Sequence, residues 1–315
     1  VKHYMEVRGL GIIDVKQVFG ISAVKDSIKI ELVVRLEAES GKVDYDRIGL
    51  ENYTTTGGAK KREKYRWNFN YRAADRGNDY NSIFALVDAL NSPAPEPYTS
   101  ATFGLVDVEQ WMRIFATEHI IVNFDAYGHE IGKNMYAYKP TTGKWQLYMF
   151  DLDWLMLASQ GGHPPGSANL FASDDPTIAD MYAYPPFLRA YWRAVADAVN
   201  GPFLAANYNP IMDAKYASLV ANGVAWCDGS ALTDPSAVKT WFAARRTFLA
   251  TQLATATFPF AINPTITASN GVGYITGTAP VGVNTVSING SPWRVQWTTV
   301  SNWLAIVPLV PGANN

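Results

Sequence analysis

The spacing of apolar and polar residues predicts several helices in the middle of the chain. Over residues 79–90, apolar side chains recur every three or four positions behind Asp79, which is a plausible N-cap. A second helix is expected from Asp107 to about Val122, with Gln110 three residues after the cap in a capping-box pattern. Weaker or later helical patterns occupy residues 187–199, 208–219 and 235–253.

Between these helices the period changes to that of strands. Residues 134–138 and 144–150 are rich in aromatic side chains, and the turn signal Pro140-Thr141-Thr142-Gly143 joins them, so we expect a hairpin. The following stretch, residues 155–176, has the composition of a loop. Near the start of the chain, residues 27–36 alternate well enough to predict a strand.

The pattern changes again at Phe258, where short alternating runs begin and Arg294 is the only charged residue up to the end. We interpret this part as an incomplete immunoglobulin-like β-sandwich, because a complete one takes about 100 residues. The chain then divides into a partial N-terminal lobe with a connecting segment (1–78), a helical part that contains the hairpin (79–257) and a partial all-β module (258–315).

Composition narrows the class of protein. The 315 residues are 48% hydrophobic and 17% charged with a net charge of −2, which excludes a disordered chain and argues against nucleic-acid binding. No apolar run approaches the roughly 20 residues of a membrane helix, so we predict no membrane span. The single cysteine, Cys227, excludes an internal disulfide. The chain begins without Met and ends directly after an apolar run, from which we expect further domains of a longer polypeptide.

Candidate chemistry lies in residues 125–153. A hairpin brings its two ends together, so Asn134 and Asp151 should be neighbours, and amide and carboxylate oxygens suit Mg²⁺. Phosphoryl transfer needs an Asp that accepts the hydroxyl proton, and an Asn and a second Asp that hold Mg²⁺ on the nucleotide. Asp125, Asn134 and Asp151 occur in that order, although the spacings are looser than in protein kinases and neither HRD nor DFG is present.

Each of these side chains also has a structural interpretation. Asp125 could cap a turn, Asn134 could be a turn residue, and Asp151 could be a structural residue at a strand end. Asp153 could equally support a backbone amide. His119, on an apolar helical face, is more often a core histidine with a hydrogen-bond partner than a metal ligand.

Four separated motifs follow one another along the chain. They are Asn78-Asp79-Tyr80 with an apolar helix behind it, Asn123-Phe124-Asp125-Ala126-Tyr127-Gly128, Gly132-Lys133-Asn134-Met135-Tyr136-Ala137-Tyr138, and Gly143-Lys144-Trp145 leading into Phe150-Asp151-Leu152-Asp153-Trp154. Over about residues 45–255 this arrangement resembles the CotH family, the spore-coat-protein-H-like atypical kinases.

The resemblance implies an α+β, protein-kinase-like fold and ATP- and Mg²⁺-dependent phosphorylation of Ser or Thr in a secreted or surface protein. By position, Asp125 matches the family's catalytic acid/base and Asp151 its metal ligand. Asn134 joins them as a nucleotide and metal ligand from the hairpin argument, and Asp153 as a second ligand or supporting group. An extracellular or cell-surface location follows from the same resemblance. Because no phosphate-covering lobe with its Lys can be placed in residues 1–78, we expect weak or no kinase activity.

Two other functions stay open. Asp151-Leu152-Asp153 is a DxD triplet, which could hold a metal on a nucleotide sugar in a glycosyltransferase. The chain could also be a catalytically inactive surface or adhesion module that binds through its β part.

Overall fold

The computed structural model describes residues 4–7, 11–14, 79–129, 134–152, 155–156, 164–171, 173, 175–227, 230–310 and 312. Within them helices and strands are mixed. At the N-terminal end, β1 (Tyr4–Val7) and β2 (Gly11–Asp14) pair antiparallel, with Val7 opposite Gly11. The strand predicted over residues 27–36 lies outside the described residues.

The helical part begins with α1 (Asn81–Leu90), α2 (Tyr98–Leu105) and α3 (Val108–Ile121). The first and third confirm the predicted helices, whereas α2, which follows the proline-rich loop, was not predicted. Asp79 accepts a hydrogen bond from the amide of Asn81, but the N-cap of the helix is Tyr80, so the predicted cap lies one residue too early.

The capping box predicted for α3 is half wrong. The carboxylate of Asp107 does accept from the amide of Gln110 at 3.3 Å. The side chain of Gln110, however, does not reach back to the cap. It donates to the carbonyl of Leu147 at 2.6 Å and accepts from the amide of Leu147 at 3.0 Å. It therefore acts as an added strand partner that holds the hairpin against α3.

That hairpin consists of β3 (Met135–Tyr138) and β4 (Gln146–Met149), which confirms the predicted pair of strands. Its second strand is anchored at Trp145, whose amide donates to the carbonyl of Leu105 at 2.7 Å and whose carbonyl accepts from the indole of Trp111 at 2.9 Å. The hairpin is thus fixed to the N-terminal end of α3, while its ends face the loop after α3.

Four more helices complete the core: α4 (Pro176–Ala183), α5 (Pro185–Asn200), α6 (Ala205–Ala221) and α7 (Ser236–Ala256). A short pair, β5 (Trp226–Cys227) and β6 (Ser230–Ala231), separates the last two. The prediction missed α4, which takes its N-cap from Asp175 and has proline in its first turn. Buried aromatic side chains of α3, α4 and α5 form the centre of the main core.

Buried Arg245, on α7, closes the C-terminal end of α3. Its guanidinium donates to the carbonyls of His119 at 2.7 Å and Ile120 at 3.1 Å, and to the carbonyls of Pro165 and Ala168 at 3.0 and 3.1 Å. A cation at this position is favourable because the last carbonyls of a helix are unpaired and carry partial negative charge. The arginine also secures the 164–171 segment.

The described residues of the C-terminal part form seven strands. Five of them form one sheet in the order β12-β13-β9-β7 with β8 also paired to β9, and the other two form a hairpin. The strands are β7 (Ala261–Ile262), β8 (Thr267–Ser269), β9 (Val272–Thr278), β10 (Val286–Ile288), β11 (Ser291–Trp293), β12 (Gln296–Trp297) and β13 (Asn302–Pro308).

One buried side chain joins this sheet to the helices. The guanidinium of Arg189, on α5, lies 3.3 Å from the ring centroid of Trp297. Burial, with a smaller contribution from Arg193, lowers the pKa of Arg189 to about 10. Its donors reach four backbone carbonyls of the C-terminal part, those of Pro280, Val281, Val283 and Val300.

The assignment to a kinase-like fold followed by a partial sandwich stays a prediction, as do the three domain boundaries. Within the described ranges, no helix has both the length and the apolar character needed to cross a membrane.

Candidate functional site

The candidate site begins where α3 ends. The amide of Asn123 donates to the carbonyl of Glu118 and the amide of Val122 to the carbonyl of His119, which is the hydrogen-bond pattern of a Schellman motif. Such a motif needs a left-handed residue, and here that residue is Val122, with φ 58° and ψ 48°. Glycine usually occupies this position, and a β-branched residue there is strained. The chain therefore turns sharply just before Asp125.

Asp125 and Asn134 contact each other directly. The side-chain amide of Asn134 donates to the backbone carbonyl of Asp125 at 2.9 Å and to its Oδ2 at 3.1 Å. Asp125 is largely buried, at 9% exposure. Because the nitrogen of the amide faces Asp125, the Oδ1 of Asn134 is the atom left for another partner.

Asp151 lies at the other end of the hairpin. The amide of Phe150 donates to the carbonyl of Asn134 at 3.2 Å, which places Asp151 one residue beyond that pair. Asp151 is exposed. Asp153 falls outside the described residues, so the structure places three of the four predicted site residues.

Left-handed backbone is concentrated around this site. Val122, Asn134, Asp151 and Met156 all have φ between 54° and 60°. The amide of Met156 donates to the carbonyl of Ile121, so it too lies at the end of α3. Sparsely populated backbone conformations persist only where the surroundings impose them, and they cluster at functional sites. The strain favours a functional role for this loop cluster.

Behind the loop lies a buried polar layer. Glu118, His119, Asn123 and His129 are buried, and the two histidine rings stack at 4.5 Å between centroids. His119 Nδ1 lies 2.7 Å from the carbonyl of Phe115, which agrees with the prediction of a core histidine that has a hydrogen-bond partner. Burial raises the pKa of the Glu118 carboxyl to about 7, against a weaker lowering by the hydrogen bond from Asn123.

Two of these buried groups escaped the sequence prediction. Glu118 looked like an ordinary helical glutamate, and Asn123 entered only as part of a motif. Their spacing of five residues across the end of a helix was the available signal, since this is the separation that the Schellman motif brings together. Their contact shows that the turn before Asp125 is fixed by side chains as well as by backbone.

The oxygen atoms of Asp125, Asn134 and Asp151 are hard ligands of the kind that Mg²⁺ prefers. Among the described residues, there is no group of three or more His, Cys, Asp or Glu side chains placed to hold a metal ion. A cation here would therefore need the amide oxygen of Asn134 as well as carboxylates. Such a mixed donor set suits an ion that also binds water and phosphate oxygens.

Comparison with known proteins gives similarity to a class of serine kinases at the start of the chain. The family model described as the HPr serine kinase C-terminal domain matches residues 1–62. This is the segment that contains β1 and β2. No solved structure matches.

The curated relatives that match are HPr kinase/phosphorylases. The protein of Lactobacillus delbrueckii subsp. bulgaricus is 51% identical over 53 residues, which is 17% of this chain and 17% of that protein. The protein of Chloroherpeton thalassium is 57% identical over 53 residues, 16% of this chain and 15% of the relative. That of Prosthecochloris aestuarii is 47% identical over 55 residues, 18% and 16% of the two chains. The chain thus spans about a sixth of the length of these relatives.

These matches overturn the resemblance to the CotH family. The prediction of a CotH-type kinase that acts on secreted or surface proteins was wrong, because the similarity found is to HPr kinase/phosphorylases. The glycosyltransferase and surface-module alternatives fail with it. The extracellular or cell-surface location was also wrong, since it rested on that resemblance alone. The descriptions of the chain as CotH-like and secreted were wrong for the same reason, and the matched relatives give the immunoglobulin-like description no support.

Proposed function

We propose that the chain takes part in the transfer of a phosphoryl group from ATP to a serine of the protein HPr, or of a protein that resembles HPr. The observation that carries the proposal is the similarity of residues 1–62 to the HPr serine kinase C-terminal domain, at 51% identity over 53 residues to one relative. The matched segment is short, so the proposal concerns a contribution to this reaction.

Within the matched segment, Arg8 is the candidate for phosphate recognition. It stands in the sequence Arg8-Gly9-Leu10 between the paired strands β1 and β2. Arginine presents a planar fork of donors that matches phosphate oxygens, and glycine lets a backbone approach a ligand closely. The combination fits a contact to nucleotide or substrate phosphate.

For the part of the chain after the matched segment, we propose that Asp125 is the base and that Asn134, Asp151 and Asp153 hold Mg²⁺ on the nucleotide. Mg²⁺, when bound, would neutralise charge on the transferred phosphoryl group. Asp125 accepts the proton of the serine hydroxyl, whose oxygen attacks the γ-phosphorus while the bond to the β-phosphate oxygen breaks. The two hydrogen bonds from Asn134 support this role, because they hold the backbone and the side chain of Asp125 in one position.

The experiment is ATP-dependent phosphorylation of purified HPr by the 315-residue chain with Mg²⁺, measured as the added mass of a phosphoryl group on serine. We expect Arg8→Ala and Asp125→Asn each to lower the rate by at least about 100-fold. Asp213→Asn is the matched control, because Asp213 is exposed on α6 and its ion pair is with Lys239 of α7.

The outcomes separate the two parts of the proposal. Loss of transfer in Arg8→Ala with normal rates in Asp125→Asn would assign the reaction to the matched segment and refute the role of Asp125. The converse result would refute the role of Arg8. Absence of transfer from the unmodified chain to HPr would overturn the proposed function.

A further inference from the structure

Two buried oxygen atoms beneath the candidate site lack a donor, and both belong to side chains that already touch. The Nδ2 of Asn123 donates to the Oε2 of Glu118 at 2.7 Å. The Oε1 of Glu118 and the Oδ1 of Asn123 are buried without a hydrogen-bond partner. Both residues are fully buried, at 0% exposure.

Such an arrangement is costly if Glu118 is ionised. A buried acceptor without a donor costs about 1–3 kcal/mol, and a buried carboxylate without a cation costs more. A carboxylic acid and an amide, however, have complementary edges, each with one donor and one acceptor. A single proton on the Oε1 of Glu118 would supply the donor that the Oδ1 of Asn123 lacks, and would use both orphaned atoms at once.

We propose that Glu118 is held as a neutral carboxylic acid, and that its carboxyl group and the side-chain amide of Asn123 form a closed pair of two hydrogen bonds that fixes the turn before Asp125. The pair is a proton-dependent clamp. When the proton leaves, one of the two bonds is lost and an uncompensated charge remains buried.

The groups around Glu118 support its neutral form. On the same helix, His119 uses Nδ1 on a backbone carbonyl, and His129 stacks on it from the following loop. Tyr182, on α4, is coupled electrostatically to Glu118. Arg245, on α7, donates hydrogen bonds to four backbone carbonyls. Among the described residues none of the ion pairs includes Glu118. Burial correspondingly raises the pKa of Glu118 to about 7.

The clamp has a structural task at this position. Val122 lies between the two partners and is held at φ 58°, a conformation that a β-branched residue adopts only when its surroundings impose it. One backbone hydrogen bond and one side-chain hydrogen bond from Asn123 to Glu118 together span Val122. Asp125 follows two residues later, so its position depends on this turn. The inference concerns the turn itself and holds whether or not Asp125 takes part in phosphoryl transfer.

The test is an NMR titration of the full chain with ¹³C-labelled glutamate side chains and ¹⁵N-labelled amides. We expect one glutamate carboxyl to titrate with a midpoint near pH 7, well above the ordinary value of 4.5. The backbone and side-chain amide signals of Asn123 should shift with the same midpoint. In Glu118→Gln these transitions should vanish, because two amides form the same closed pair without a titrating proton. This variant is therefore expected to fold.

Each alternative result is decisive. If every glutamate titrates below about pH 5, Glu118 is ionised and the clamp does not exist. If the Asn123 signals still shift near pH 7 in Glu118→Gln, another group such as His129 causes the change, and the proposal is wrong. If Glu118 titrates near pH 7 but the side-chain amide of Asn123 does not respond, the raised pKa has a different origin from the closed pair.

Discussion

Replacing Arg189 by alanine should uncouple the C-terminal sheet from the helices. In the native chain the guanidinium donates to the backbone carbonyls of Pro280, Val281 and Val283 at 2.7–3.3 Å, and also to that of Val300. It also lies 3.3 Å from the ring centroid of Trp297. Alanine removes all five contacts from the buried interface between α5 and the C-terminal part.

The size of the effect follows from those contacts. Each carbonyl that loses its donor in a buried place costs about 1 kcal/mol or more. Four such losses, reduced by relaxation and entry of water, give roughly 3–5 kcal/mol, which is the usual cost of removing one partner of a buried charged group. A loss of that size in the free energy that holds this interface together is enough for the sheet to separate or unfold before the helical part does.

The assay is urea unfolding followed by tryptophan fluorescence, together with limited proteolysis around residues 257–260. We expect one transition in the unmodified chain, and in Arg189→Ala an earlier transition with release of the C-terminal part by protease. Arg113→Ala is the control, because Arg113 on α3 is partly exposed, pairs with Glu109 and Asp197 on the helices, and should change stability by about 1 kcal/mol or less. A single, unshifted transition in Arg189→Ala would show that Arg189 does not couple the C-terminal sheet to the helices.

Three further outcomes follow from the structure. Between pH 4.5 and about 7 the folded state keeps the proton of Glu118 whereas the unfolded state releases it, so the free energy of unfolding falls as pH rises through this range. Urea unfolding should show a loss of about 3 kcal/mol across it, and Glu118→Gln should abolish that loss. Asn134→Ala should cost about 1 kcal/mol more than Asn134→Gly in the same assay, since both lose two hydrogen bonds but only alanine is strained at φ 56°. Gly128→Ala should lower the melting temperature strongly, because the added Cβ would overlap the ring of Phe115 and because residue 128 has φ 95°, which alanine rarely adopts. Gly104→Ala in α2 is the control, since its Cβ meets open space and alanine should raise the melting temperature slightly.

Helices with a continuous apolar stripe were predictable from the sequence. α3 has Trp111, Met112 and Phe115 at helical spacing and a capping Asp, and it was predicted to within a residue at each end. α2 and α4 were not. The first lacks a charged cap and a distinct apolar face, and the second follows a loop whose composition shows no period. Both gain their stability from packing against the large helices, which no local pattern records.

The candidate site, too, could be predicted from the sequence only in part. Hairpin geometry predicts that Asn134 lies near Asp151, because the register of two strands follows from the turn between them. The contact between Asn134 and Asp125 was beyond such reasoning, since it depends on how the loop after α3 turns. That turn depends on Val122 in a conformation that its residue type disfavours and on the buried pair of Glu118 and Asn123. The conformational preferences of single residues predict neither the left-handed Val122 nor the buried pair.

The most direct test of the account is whether the chain binds a metal–nucleotide at the loop cluster after α3. Mn²⁺–ATP, added to the ¹⁵N-labelled chain, broadens the amide signals of residues close to the metal. The account predicts selective broadening at Asp125, Asn134 and Asp151 that Asp151→Asn abolishes. Broadening confined to residues 1–62, or none at all, would contradict it.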